Sequence, residues 1–552
     1  MVELFVYILN MRIFTLLIFL FLFSCTQTPS VSSEYMDNFI EYVETLSSDD
    51  FEGRAPGTPG GIKTKNFISE KFSEFGLEGL NGSYLSDVKL TEITLKNSST
   101  FSISHNDKKL DIDFGADYVF WTKRQVNEVE LKNQKMVFIG YGVDAPEYDW
   151  NDYEGVDLKG KVVVALINDP GFELENENIF KGKAMTYYGR WTYKFEEVAK
   201  KGATGMLIIH ETAPAAYGWN VVETSNTGPQ LDLYSESKNV HRAKIEGWIT
   251  KETSEKIFSL IGSSYEDMKS AALKKDFKAI ELEGFQVSAK INNLIKYANS
   301  HNVVGIKKGK TYPDEFIMLM AHWDHLGKDS SLDGDQIYNG AVDNATGTAL
   351  IMSVAERLKN EDTERSVMFL GLTAEESGLL GSAYLAENFP FDYSQIVAGM
   401  NFDGIPAIGK TKDMLVIGYG ASELEDVLKK HLKKYSKVIT PDLFPEKGFF
   451  YRSDHISFAK KGIPVLYADP GYDLVDGGLE KGMKYAAEYT SNLYHQVADE
   501  VYEDWNYDGI AEDIDIFYSM TKDLANSREF PNWYENNEFR SIRDNSLINK
   551  SP

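Results

Sequence analysis

Phe316-Ile-Met-Leu-Met-Ala-His-Trp-Asp-His-Leu-Gly327 decides the reading of this chain. An unbroken apolar run passes directly into His322, Asp324 and His325. Such a run suits a strand buried on both faces, as in a parallel sheet. The same pattern returns twice. Ser366-Val-Met-Phe-Leu-Gly-Leu372 leads into Thr373-Ala-Glu-Glu-Ser-Gly378, and Ile396-Val-Ala-Gly-Met-Asn401 leads into Phe402-Asp403. Each strand therefore ends on imidazole or carboxylate.

Working outward, helices are expected over 347–358, 379–386 and 424–435, and further strands over 414–417 and 464–468. Alternating strands and helices predict an α/β fold, a mostly parallel or mixed sheet with helices on both faces. In such sheets, ligands bind beyond the carboxyl ends of the strands. The preceding stretch differs in texture. Val137-Phe-Ile-Gly-Tyr-Gly142, Lys159-Gly-Lys-Val-Val-Val-Ala-Leu-Ile167 and Gly205-Met-Leu-Ile-Ile209 are strands, with a helix over 193–201. That stretch lacks a dense group of ligand residues. The expected organisation is a signal segment 1–25, a first part of the catalytic domain 35–130, a β-rich insert 131–285, the main catalytic part 286–526 and a tail 527–552.

At 552 residues the chain exceeds one ordinary core. Its 84 acidic and 57 basic residues leave a net charge of −27. That excludes nucleic acid as a partner, because phosphate recognition needs a field of Lys and Arg. Arg12 precedes an apolar run over 13–23 that ends at Leu22-Phe-Ser-Cys25, too short for a comfortable membrane span. Cys25, the single cysteine, stands where a bacterial lipoprotein signal places its acylated residue, although Phe23 is unusual there. The expectation is export to the cell envelope, with membrane contact only through a lipid on Cys25 and no internal disulfide.

Zinc takes imidazole nitrogen and carboxylate oxygen, and a catalytic site leaves a position for water. His322, Asp343, Glu376, Asp403 and His495 supply two imidazoles and three carboxylates, a set suited to two zinc ions with a bridging hydroxide as nucleophile. Glu375 and Glu376 are adjacent, so in a loop their side chains diverge. Glu376 is assigned to metal and Glu375 to proton transfer. Tyr494, beside His495, can donate to the oxyanion formed when water attacks a carbonyl. Each feature alone has a plainer explanation. Asp343 in Gly340-Ala-Val-Asp-Asn-Ala-Thr-Gly347 could be a helix N-cap, Glu375-Glu376 a solvated pair, and His495 with Asp499 a surface pair. Their joint occurrence after successive strands argues for the metal.

The order His322-x-Asp324, Asp343, Glu375-Glu376, Asn401-x-Asp403 and Tyr494-His495 resembles the co-catalytic di-zinc aminopeptidases and glutamate carboxypeptidase-like enzymes. The resemblance implies a zinc exopeptidase fold acting on peptides. It implies that His322 and Asp403 hold one zinc, that Glu376 and His495 hold the other, and that Asp343 bridges them. It also implies Glu375 as general base and Tyr494 near the oxyanion. Arg452-Ser-Asp-His455 resembles a further signature near the substrate pocket, with Arg452, Asp454 and His455 in supporting roles. Asp324 is expected to orient His322 or shape its loop, and His325 is expected to support the site or the fold and not to be a ligand. The insert resembles a protease-associated domain through Gly140-Tyr-Gly-Val-Asp-Ala-Pro-Glu-Tyr-Asp-Trp150, Lys159-Gly-Lys-Val-Val163 and Tyr187-Tyr-Gly-Arg-Trp191. Phe51-Glu-Gly-Arg-Ala-Pro-Gly57 resembles the family's N-terminal segment. An aminopeptidase is the leading expectation. A carboxypeptidase, a glutaminyl cyclase-like enzyme and a non-catalytic peptide-binding lipoprotein are the alternatives.

Overall fold

Successive residues of the strand Tyr312–His322 point to opposite sides of a sheet, and both sides are buried. Ile317, Leu319 and Ala321 enter one core, whereas Phe316, Met318 and Met320 enter another. A strand with two apolar faces is stable only between two layers, which is why the run carries no polar alternation. The computed structural model describes residues 33–535 and 537–548. The expected signal segment, with Cys25, lies outside them. Among the described residues, no helix is long and apolar enough to cross a membrane.

Arg365–Leu372, Tyr312–His322, Ile396–Asn401 and Val465–Pro470 are neighbours in that order, all parallel. Antiparallel strands flank them, Ile280–Lys307 on one side and Asp413–Ile417 on the other, so the sheet is mixed. The helix Gly347–Leu358 covers the first face. Leu350, Ile351 and Val354 pack there with Phe39 and Val43 of Ser33–Leu46 and Phe517 of Asp508–Asn526. Each such side chain, fully buried, contributes roughly 1.5–3 kcal/mol. On the other face Leu385 and Phe458 pack against Met318 and Met320.

A second sheet is built the same way. Glu128–Phe138, Val162–Leu166, Gly205–His210 and Ile245–Thr250 run parallel, and Tyr118–Trp121 closes one edge antiparallel. Val162, Val164 and Leu166 face one core, Val163, Ala165 and Ile167 the other. Helices accompany these strands, including Trp191–Lys200 and Lys251–Leu260. Thr100–His105 also joins this sheet, through Ile280–Lys307. That strand is 28 residues long. Its first half pairs with Glu128–Phe138 and its second half with Leu85–Leu95 and Arg365–Leu372, so one strand belongs to both sheets.

The residues after Asn526 are integrated into the fold. Trp533 and Arg543 are fully buried. Trp533 Nε1 donates to Gly462 O at 3.0 Å, and Arg543 Nη1 donates to Tyr393 O at 3.1 Å.

Candidate metal centre

Parallel pairing fixes where the candidate ligands emerge. His322 is level with Leu372, and Met320 with Asn401. His322, Glu375, Glu376 and Asp403 therefore leave the sheet at one carboxyl edge. Asp343 arrives from the turn that precedes Gly347–Leu358. Its backbone is not helical there, at φ −109° and ψ 91°, and its side chain does not cap the helix. His495 arrives from the chain after Tyr489–Leu493, in a left-handed conformation at φ 57° that is uncommon for a non-glycine residue.

All five predicted ligands meet. His322 Nε2 lies 3.0 Å from Asp403 Oδ1 and 3.3 Å from Asp343 Oδ1. His495 Nε2 lies 3.0 Å from Glu376 Oε2 and 3.3 Å from Asp343 Oδ2. Asp343 thus offers one oxygen to each histidine. Donor atoms of His322, Asp343 and Asp403 all lie within 4.8 Å of one another, as do those of His322, Glu375 and Glu376.

Whether this set fits a metal is decided by the lone pairs. His322 Nδ1 is 3.1 Å from the Asp324 carbonyl oxygen, to which it can only donate. In the neutral ring, Nε2 then carries a lone pair facing two carboxylate oxygens. That arrangement repels unless a cation or a proton lies between. With the donor groups alone, a proton does this work. Although burial opposes the charge, Asp403 and Glu375 hold the His322 imidazolium well above its ordinary range. Burial likewise opposes the charge on Asp343, yet its contacts with His322 and His495 hold it well below the carboxylate range. A divalent ion satisfies the same demand with more charge, and neutral imidazoles then ligate it.

The surrounding residues fix this geometry. Asp324 is fully buried, and its Oδ1 accepts the backbone N–H of Glu375 at 3.1 Å, which ties the histidine loop to the Glu-Glu loop. Asn344 Nδ2 donates to Phe402 O at 2.9 Å, and its Oδ1 accepts Gly404 N–H at 3.1 Å. At Gly340, with φ 54°, a Cβ would stand 2.3 Å from Asp343 O and 2.5 Å from His325 Cδ2, so only glycine fits.

Three further residues also shape the centre. His325 is buried and places Nδ1 2.6 Å from Glu376 Oε1, leaving Oε2 to face His495. Burial opposes ionisation of Glu376, but His495 and His325 together hold its pKa at about 2. Asp499 accepts two backbone N–H groups beside Asp343. Arg54, fully buried, donates to the carbonyls of Leu46, Trp323, Asn339 and Gly340 at 2.5–2.9 Å. It gives the Phe51–Gly57 motif a physical role, pinning the histidine loop to the turn that carries Asp343. No local sequence signal marked Asp499, because its partners lie 156 and 157 residues away.

Glu375 is half-buried beside the cluster. Burial, seconded by Asp403 and Glu376, pushes its carboxyl well above the usual range against the pull of His322. Tyr494 is 39% exposed and stacks on His495 with ring centroids 4.0 Å apart. In Arg452-Ser-Asp-His455, only Arg452 is partly exposed. Ser453 and Asp454 lie buried beneath the centre, and the Ser453 hydroxyl accepts from Asn401 Nδ2 at 2.8 Å. His455 does not face a pocket: it is fully buried between the rings of Phe450 and Tyr467.

Against known proteins, residues 302–518 match the model of Peptidase family M28. Over this stretch, the M28 block, the chain is similar to that family. The M28 block holds every strand and loop that supplies the cluster. Aminopeptidase YwaD of Bacillus subtilis is 25% identical over 183 residues, 32% of this chain and 38% of that protein. Aminopeptidase Y of Saccharomyces cerevisiae is 26% identical over 244 residues, 43% of this chain and 40% of that one. The chain thus spans well under half the length of these curated relatives. Among solved structures, an aminopeptidase from Aneurinibacillus sp. strain AM-1 superposes with a TM-score of 0.51 at 18% identity, covering 90% of this chain and 95% of that one. The likeness extends the shared fold beyond the M28 block.

Proposed function

We propose that this chain is a di-zinc exopeptidase that removes N-terminal residues from peptides. His322 and Asp403 would hold one ion, Glu376 and His495 the other, and Asp343 both. One observation carries the reading: Asp343 turns Oδ1 toward His322 and Oδ2 toward His495, each at 3.3 Å, as a carboxylate shared by two ions must. When bound, the zinc ions would acidify a water molecule and polarise the scissile carbonyl.

The chain's own residues supply the rest. Glu375 accepts a proton from the attacking water on its carboxylate and returns one to the leaving amine as the C–N bond breaks. Desolvation of its carboxyl moves it toward the working pH, as this role requires. The Tyr494 hydroxyl donates to the carbonyl oxygen as that atom gains charge. His325 and Asp324 keep Glu376 and His322 turned inward without touching substrate. The curated relatives described above are aminopeptidases, which favours the amino end of the peptide. The convergence of five donors supports two ions over the single ion of a cyclase-like site.

The test is metal analysis together with hydrolysis. Zinc-loaded protein should carry two ions per chain and cleave leucyl-p-nitroanilide but not its N-acetyl derivative. A chelator should abolish cleavage, and zinc should restore it. Protein that binds no zinc, or that cleaves only the acetylated substrate, would overturn the proposal.

A further inference from the structure

Arg190 and Arg452 depart from the pattern of every other described arginine. Arg54, Arg124 and Arg543 donate to backbone carbonyls, and the rest pair with carboxylates. Among the described residues, neither Arg190 nor Arg452 has a carboxylate or carbonyl partner for its guanidinium. Arg190 Nε is buried without an acceptor. Arg452 rests over the Phe449 ring, 5.2 Å from its centroid. Among the described arginines, a guanidinium that meets neither a carboxylate nor a carbonyl is an exception, and here two occur together.

They meet where the second sheet's lobe abuts the M28 block. Met185 N–H donates to Pro445 O at 3.1 Å, and the rings of Tyr187 and Tyr451 lie 6.4 Å apart. Arg190 stands at the start of Trp191–Lys200, directly after this contact. Burial first, and the Arg452 charge second, lower the Arg190 pKa to about 10. Like charges held together in a half-buried place are unfavourable unless an anion joins them. Arg452 also borders the metal centre. Its neighbour Ser453 accepts from Asn401 Nδ2 at 2.8 Å, and Asn401 precedes Asp403 by two positions.

We propose that Arg190 and Arg452 form a carboxylate-binding subsite that holds an anionic group of the bound peptide. The inference rests on the peptidase reading above and deepens it. Guanidinium groups match a carboxylate through paired N–H donors, and in a half-buried place such pairs are strong. The carboxylate is either the free C-terminus of a short peptide or an Asp or Glu side chain. In the first case, the subsite makes the enzyme one for the last few residues of degraded chains.

Three substrates separate the sources: Leu-Ala-Ala as the free acid, the same peptide as its amide, and Leu-Ala-Glu with the C-terminus amidated. With zinc-loaded protein, kcat/KM for one of the anionic peptides should exceed that of the neutral amide by about tenfold or more. In Arg190→Gln and Arg452→Gln the ratio should fall toward one. Calorimetry of chelator-treated protein with Ala-Ala-Ala, Ala-Ala-Ala-amide and Ala-Ala-Glu-amide gives a readout independent of turnover, and an anionic peptide should bind more tightly than the neutral one. Equal hydrolysis and equal binding of anionic and neutral peptides by the unaltered protein would refute the subsite and leave the peptidase standing. Failure to hydrolyse any peptide, with the binding preference intact, would refute the peptidase reading and support the subsite. The unaltered protein's ratio decides even if a variant misfolds.

Discussion

Asp499 Oδ2 accepts the backbone N–H of Asp343 at 3.0 Å, while its Oδ1 accepts that of Val342 at the same distance. The carboxylate proposed to bridge the two ions therefore hangs from a second, fully buried carboxylate on a distant loop. Asp499→Ala leaves two buried N–H groups without acceptors. The expected cost is about 1–3 kcal/mol of stability for each orphaned donor. Zinc affinity should fall roughly 10–100-fold as Asp343 loses its orientation. Urea denaturation and a zinc-competition titration measure the two effects, and unchanged zinc affinity would show that Asp343 is held by other means.

Glu375→Gln keeps the shape of the side chain and removes its basicity. The variant should bind zinc normally yet lose roughly two orders of magnitude or more in kcat. Near-normal turnover would assign proton transfer elsewhere. Asp343→Asn should instead weaken both zinc sites. Retention of two tight sites in a metal titration would rule out the bridge.

Arg54→Met removes the donors that hold four carbonyls, one at the end of the helix Ser33–Leu46 and three on two loops. Hydrogen bonds from a charged donor contribute about 1.5–3 kcal/mol each, so a loss of at least about 3 kcal/mol is expected. Arg54→Lys should recover little, because a point charge cannot span the carbonyls that a planar fork reaches. Denaturant midpoints of the two variants provide the check. Full recovery by lysine would mean that charge alone, set among Asp499, Asp343 and Asp324, is what matters.

Burial pushes the His455 imidazole down to about 3. Its folded pKa lies below the unfolded value of about 6.5, so the unfolded chain takes up the proton first. Stability is therefore fully present above about pH 6.5 and is lost as the pH falls toward about 3. The slope from this residue is up to about 1.4 kcal/mol per pH unit. In urea melts with chelator present, the unaltered protein should lose more stability between about pH 7 and about pH 5 than His455→Phe does. Equal losses would mean that the ring titrates normally where it sits.

Much of the M28 block could be read directly. Apolar runs such as 316–320 have two buried faces in the structure, and ligand residues placed directly after strands emerge at one sheet edge because parallel pairing aligns those ends. Elements that answer to distant partners were harder to read. Asp499 stands in unremarkable surroundings, and Arg54 lies in a motif whose physical role could not be read, because their main partners are carbonyl or amide groups more than a hundred residues away. The partner of His325 had no local signal either, since Glu376 lies 51 residues away. Strand Ile280–Lys307 was obscured by its second half, where Lys296, Tyr297 and Asn299 face solvent and break the apolar pattern. Its 28 residues also far exceed an ordinary strand of about five or six.

That strand has a mechanical consequence. A hinge between the two lobes would have to bend or shear a ribbon whose amides are engaged on both sides, by Leu85–Leu95 in one lobe and Glu128–Phe138 in the other. Rotation would break those ladders one rung at a time, which a flexible linker would not require. The two lobes are therefore held in a set orientation by the strand they share. On the peptidase reading, discrimination among substrates then falls to the side chains around the candidate centre, with no rotation of one lobe against the other to assist.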